Sequence, residues 1–196
     1  MTSPAKTTFA AFLMLALCWS LAGCGTYANI TLESPLSGAT LLPRLTTAAY
    51  TFSDENTVDI YLSDLSPAQL GVPFDDSASG WPTGQMMHIH MFIRPSPGKT
   101  PIEPQSSNCT IRHMILAPGA TGLYGGGGFL LPSSSATSGT FGGSISAGTL
   151  RLQAASDNFN DALGPTALRA SFKVKENREL AATMSRRFEE TMPRPE

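Results

Sequence analysis

The middle of the chain reads Gln85-Met86-Met87-His88-Ile89-His90-Met91-Phe92-Ile93-Arg94. It is the longest β-like apolar run after the N-terminus, and it holds two of the three histidines. Side chains alternate across a strand, so the residues Met87, Ile89, Met91 and Ile93 share a wholly apolar face. We expect this apolar face to point into the hydrophobic core. We therefore expect this stretch to be the central strand of the fold.

The opposite, mixed face of the same strand carries His88 and His90. Their spacing along the strand is roughly 7 Å, and two imidazoles at that spacing can reach one metal ion. A structural interpretation competes with this one, because Met86 and Phe92 flank the pair and indicate partial burial. Two histidines alone also fall short of the three or four ligands that zinc or copper sites need. Both interpretations stay open.

The third histidine, His113, lies in the run from Cys109 to Leu116, which we expect to pair with the central strand. Alternation places His113 with the apolar side chains Cys109, Ile111 and Ile115. If that side faces the core, His113 cannot join the other two histidines. The opposite side is half apolar as well, since it carries Met114 and Leu116, so the pattern does not assign the faces.

Composition points to one turn-rich β domain. The 196 residues are 41% hydrophobic and only 14% charged, with 18 Gly and 15 Pro. This balance predicts a mainly β fold, an antiparallel β-sandwich or a partly closed barrel, rather than a helical bundle. A net charge of −2 and the absence of a Lys/Arg cluster exclude an obvious nucleic-acid surface.

Further alternating runs predict strands at Tyr27 to Glu33, Thr46 to Ser53, Thr57 to Asp64, Thr140 to Ala147, Thr149 to Ala154 and Ala167 to Lys175. The second and third of these form a predicted hairpin, in which Asp59, Tyr61 and Ser63 point outward. The glycine run Gly125 to Gly128 predicts a flexible or close-packed β bend. Residues 177–191 have apolar side chains at helical spacing and predict one amphipathic C-terminal helix against the sheet.

The N-terminus carries the clearest functional signal. Lys6 supplies a short positive region, and the apolar stretch from Phe9 to Leu17 has the length of a signal peptide. Leu21-Ala22-Gly23-Cys24 follows at once. This segment resembles the lipobox of bacterial lipoprotein precursors. The alternatives are an ordinary secretory signal or a transmembrane helix, but the apolar run is short for a bilayer and an ordinary signal needs no cysteine there.

The resemblance implies export, attachment of a diacylglyceryl group to Cys24 and cleavage before that cysteine. Residues 1–23 would then be the signal peptide, 24–26 the lipidated N-terminus with a short tether, and 27–196 a single β-rich domain. The membrane is the partner that the acyl anchor implies. Related lipoproteins with a neutral residue such as Gly25 after the cysteine usually go on to the outer membrane, where the envelope has one. Cys109 would be the one unmodified cysteine, and a small apolar role suits it.

The chain contains no Gly-x-Ser-x-Gly elbow, His-Glu-x-x-His motif, paired Cys-x-x-Cys or phosphate loop. Whether it is an enzyme therefore stays open, and a non-enzymatic role is favoured. The first expectation is a lipid-anchored envelope domain with a binding or structural role toward an unidentified protein or small molecule. The second is a periplasmic copper or zinc protein that uses His88, His90 and His113, with sulfur from Met86 or Met114 favouring copper. The third is a hydrolase with an unrecognised site.

Overall fold

The computed structural model describes residues 26–72, 74, 81–93, 107–134 and 139–192. Within these ranges the strands are β1 (Tyr27–Glu33), β2 (Thr40–Leu41), β3 (Thr47–Phe52), β4 (Val58–Ser63), β5 (Gly84–Met91), β6 (Cys109–Ala117), β7 (Ala120–Gly128), β8 (Leu130–Pro132), β9 (Thr140–Ala155) and β10 (Thr166–Lys175). The helices are α1 (Pro67–Gly71) and α2 (Arg178–Glu190). No helix among the described residues is long and apolar enough to cross a membrane.

All of these strands belong to one antiparallel sheet in the order β2-β1-β10-β9-β7-β6-β5-β4-β3, with β8 paired to β9. The sheet curls until its β3 edge meets the residues that follow β10, where the Asn177 backbone N–H donates to the Tyr50 carbonyl at 3.2 Å. The mainly β prediction is confirmed, and the architecture is a half-barrel. A sandwich of two stacked sheets is not confirmed, because the described strands form one continuous sheet.

The inside of the curl holds the main hydrophobic core. Met87, Ile89 and Met91 of β5 point into it, as alternation predicts, and each is fully buried. Large side chains from both halves of the sheet complete this core, among them Tyr50, Phe141 and Phe172. β5 is an interior strand flanked by β4 and β6, although the middle of the strand order is β7. Arg94 at the end of the predicted strand lies outside the described residues.

The two helices cover part of the outer face and bury a second, smaller core. Ala181, Met184 and Phe188 of α2 pack there with outward-facing apolar residues of the sheet. The C-terminal helix is confirmed, and Asn177 caps it by accepting from the Leu180 backbone N–H at 3.0 Å. Asp59, Tyr61 and Ser63 point to the outer face, as alternation predicts, but all three are buried rather than exposed to solvent. The face that they share is polar in pattern but lies on the side of the sheet that α2 covers.

Two further expectations are corrected. The glycine run is no bend: it lies within β7 and pairs with both β6 and β9. Glycine is required there because a Cβ on Gly126 would collide with the backbone carbonyl of Thr149. The runs 140–147 and 149–154 are one long strand, β9, because β10 pairs with residues on both sides of Gly148 and β7 pairs with the second part of the strand. The pairing with β10 has a register shift between Leu168 and Ala170, next to Gly148. The hairpin of β3 and β4 and the strands β1, β6 and β10 agree with their predictions.

Candidate functional site

The clearest polar cluster lies on the outer face of β4 and β5 and consists of Asp59, His88 and His90, called the triad below. The register of these strands pairs Asp59 with His90 directly and Tyr61 with His88. Opposed residues in an antiparallel pair lie on the same face, and the diagonal neighbour is within reach of a long side chain. Asp59 Oδ1 is therefore 2.7 Å from His88 Nε2 and 2.8 Å from His90 Nδ1.

The carboxylate of Asp59 is the acceptor at the centre of the triad. Its other oxygen, Oδ2, accepts from the Ser53 hydroxyl at 2.6 Å. Burial by itself raises the pKa of Asp59, but the hydrogen bonds from His88, Ser53 and His90 outweigh it and hold that pKa well below its usual range. Asp59 is thus ionised, and both imidazoles donate an N–H to it.

His88 uses its second ring nitrogen as well. Arg112 Nη2 lies 2.9 Å from His88 Nδ1. A guanidinium has only donors, so Nδ1 accepts and the ring proton is on Nε2, which donates to Asp59. This pattern corresponds to a neutral His88 in a single tautomer with both nitrogens occupied.

Aromatic rings and α2 enclose His88. The Tyr61 ring stacks on it with centroids 4.5 Å apart and planes within 2°, and the Phe188 ring meets it edge-on at 6.1 Å. Arg112 lies over the Phe188 ring at 4.8 Å and forms an ion pair with Glu189 at 3.0 Å. Because Phe188 and Glu189 belong to α2, the cluster ties this helix to the sheet.

Exposure separates the two histidines. The His88 side chain is 9% exposed, whereas that of His90 is 34% exposed. Solvent or a small ligand therefore reaches the triad from the His90 side.

The triad has a ligand set for a metal ion, since one carboxylate oxygen and two imidazole nitrogens lie within 4.8 Å of one another. Around a metal with bonds to nitrogen of about 2.1 Å, neighbouring ligand atoms lie about 3.0–3.4 Å apart. The oxygen–nitrogen distances of 2.7 and 2.8 Å are shorter than this and need only a small opening.

One contact opposes a metal. A histidine that binds metal normally donates its other N–H to an acceptor. If His88 bound through Nε2, its Nδ1 would carry the proton and would face Arg112, which cannot accept. The hydrogen bond between Arg112 and His88 therefore excludes a metal on Nε2 unless the guanidinium moves away.

His113 does not join the other histidines. It pairs with Met87 and so lies on the inner face of the sheet, where it is fully buried. Its Nε2 donates to Gln85 Oε1 at 2.9 Å, while Nδ1 has no hydrogen-bond partner in the described structure. Burial lowers the pKa of His113 to about 4. Of the three histidines proposed for a metal, the structure thus brings together two.

The sulfur ligands considered for copper lie in the outer core. Met86 and Met114 are both buried there. The Thr191 hydroxyl lies 2.9 Å from Met114 Sδ and 2.7 Å from the Arg187 carbonyl, so Met114 packs against the C-terminal end of α2. The ligand atoms that the structure brings together are a carboxylate oxygen and imidazole nitrogens. This set favours zinc, whereas methionine sulfur would have favoured copper.

The sequence pattern missed Asp59, because it fell on the predicted solvent face of the hairpin. The available signal was an acidic residue between Val58 and Ile60, in the middle of an apolar strand. Arg112 was missed for a similar reason. Asp59 and Arg112 are 29 and 24 residues away from His88 in the sequence, and the pairing of neighbouring strands brings both of them next to it.

The two remaining cysteine predictions have different outcomes. Cys24 lies outside the described residues. Cys109 is buried in the inner core, its thiol donates to the Gly128 carbonyl at 3.2 Å, and burial raises its pKa to about 12. This agrees with the inert apolar role predicted for Cys109.

Comparison of the chain with protein-family models, with characterised proteins and with solved structures gave no match.

Proposed function

We propose that this protein is an exported lipoprotein, anchored through Cys24, whose half-barrel domain has a binding or structural role at the envelope membrane. The observation that carries the proposal is the lipobox-like segment Leu21-Ala22-Gly23-Cys24 behind an apolar stretch. β1 begins at Tyr27, three residues after Cys24, so the proposed anchor would hold this strand close to the membrane. In an envelope with two membranes, Gly25 favours the outer one.

Mass spectrometry of the mature protein tests the anchor. We expect an N-terminal Cys24 that carries acyl chains, and recovery in the membrane fraction. Cys24→Ser is expected to abolish both acylation and cleavage at this site. Cys18→Ser is the matched control, since residue 18 lies in the segment that would be removed. Equal processing and equal membrane recovery of the two variants would contradict the proposal.

A second candidate function, binding of a divalent metal, rests on the triad. Asp59, His88 and His90 supply three ligand atoms within 4.8 Å, and the exposed side at His90 leaves room for a further ligand. Two imidazoles and a carboxylate with an open position are typical of zinc sites. Copper remains the alternative that the methionine-rich surroundings suggested.

Metal content after loading with zinc and with copper tests this candidate. Metal binding predicts about one ion per chain, lost in the double variant His88→Ala with His90→Ala. His113→Phe is the control, because that residue lies on the other face of the sheet. If no metal is retained and the double variant is only less stable, the triad has a structural role in holding α2 against the sheet, and the metal function is excluded.

A further inference from the structure

A groove with a volume of about 700 Å³ runs along β1. One wall is Thr26 to Thr31, and the other is the segment from Leu42 to Thr46 with Ala48. The first wall belongs to β1, which lies beside the edge strand β2, and the second is mainly the connection from β2 to β3, the strands at the two ends of the strand order. We call this opening between the edges of the half-barrel the seam groove.

The seam groove presents large apolar side chains to solvent. Tyr27 is 49% exposed and Leu42 is 66% exposed. Pro43 and Leu45 alternate with the exposed positions and are buried, so the wall segment is held in place while Leu42 and Arg44 project outward. Exposed tyrosine and leucine beside a groove are typical of a surface that meets an apolar or interfacial partner.

Cations accompany these apolar residues. Arg44 is an exposed lining residue, and Lys173, which is partly buried and lies outside the groove lining, is directly opposite Tyr27 in the pairing of β1 with β10. Neither forms an ion pair with another of the described residues. These two cations beside exposed apolar side chains complement a membrane surface, where lipid phosphates lie above acyl chains.

The position of the anchor supplies the occupant. Thr26 at the end of the groove is two residues from Cys24, and two extended residues span at most about 7 Å. A diacylglyceryl group on Cys24 would therefore hold this end of the groove at the bilayer surface.

We propose that the seam groove is a phospholipid-binding face, with Arg44 and Lys173 toward the headgroup phosphates and with Tyr27 and Leu42 in the interfacial layer. This inference rests on the proposed lipidation of Cys24 and adds an orientation to it: the seam lies on the membrane and β7, at the middle of the strand order, faces away. Each cation near an anionic surface, and each interfacial aromatic side chain, favours this orientation.

The test uses the full chain, processed in its host and reconstituted in vesicles of phosphatidylglycerol and phosphatidylcholine. Leu42→Cys introduces a thiol for a fluorophore, and Arg151→Cys is the control, because Arg151 is exposed and pairs with Gly125 of β7 on the far side. Labelling is specific, since Cys109 is buried and Cys24 would be acylated. Brominated lipids, which quench only fluorophores at bilayer depth, provide the readout.

We expect quenching several-fold stronger at residue 42 than at residue 151, reduced by Arg44→Gln combined with Lys173→Gln. Equal, weak quenching at both positions in a chain whose acyl mass is confirmed would overturn the lipid face while leaving the anchor intact. Shielding of residue 42 without vesicles would assign the groove to another copy of the chain and would also overturn it. A chain without acyl mass would refute the anchor itself, and the inference with it.

Discussion

Replacement of Arg112 by methionine separates the two interpretations of the triad. The substitution removes the donor that faces His88 Nδ1 at 2.9 Å, and it keeps an unbranched apolar side chain against Phe188. With the guanidinium gone, His88 can carry its proton on Nδ1 and offer Nε2 to a metal.

The structure gives the size of the effect on metal binding. A hydrogen bond from a charged donor stabilises by about 1.5–3 kcal/mol, and a metal on His88 Nε2 forfeits it in the unaltered protein. At 1.4 kcal/mol per factor of ten, Arg112→Met should bind zinc about 10- to 100-fold more tightly.

The same substitution should lower the free energy of unfolding. The hydrogen bond contributes the same 1.5–3 kcal/mol, and the contact with the Phe188 ring adds about 0.5–1 kcal/mol. The ion pair with Glu189 is half exposed and adds little. A total loss of about 2–4 kcal/mol is expected.

Zinc affinity is measured by competition with a chromophoric chelator, and stability is measured by urea unfolding of the metal-free chain. Arg169→Met is the matched control, because Arg169 also pairs with a carboxylate, that of Glu33, but far from the triad. Equal zinc affinity in the unaltered chain and in Arg112→Met would refute the competition between the guanidinium and the metal. Absence of zinc binding in both proteins would refute the metal site and leave the triad with a structural role only.

Two further substitutions test the cores. Burial lowers the pKa of His113 from 6.5 to about 4, so its neutral form stabilises the fold fully above pH 6.5 and this stability is lost as the pH falls toward 4. The unaltered chain should therefore lose about 3 kcal/mol more than His113→Phe over that interval in urea unfolding, and parallel pH profiles would contradict this. Gly126→Ala should cost about 1–3 kcal/mol in thermal unfolding, because its Cβ meets the Thr149 carbonyl. Gly71→Ala has open space and should be nearly neutral; equal losses in the two alanine variants would argue against the close approach of β7 and β9.

Periodicity alone was enough for the elements that depend on local pattern. Alternation predicted the hairpin of β3 and β4 and the inward face of β5, because neighbouring side chains of a strand must point to opposite sides. Helical spacing predicted α2, and the cap at Asn177 marks its start. The glycine-rich strand β7 was not predicted, because glycine has no side chain whose alternation can be read.

Alternation also placed His88 and His90 side by side, so these two members of the triad are determined by the sequence itself. Asp59, Arg112 and the exclusion of His113 were decided only by tertiary structure. Their positions depend on the register of three neighbouring strands and on the helix that covers one face, which are set by contacts between residues far apart in the chain. A one-residue shift in either pairing would move these side chains to the other face of the sheet, and no local pattern encodes that choice.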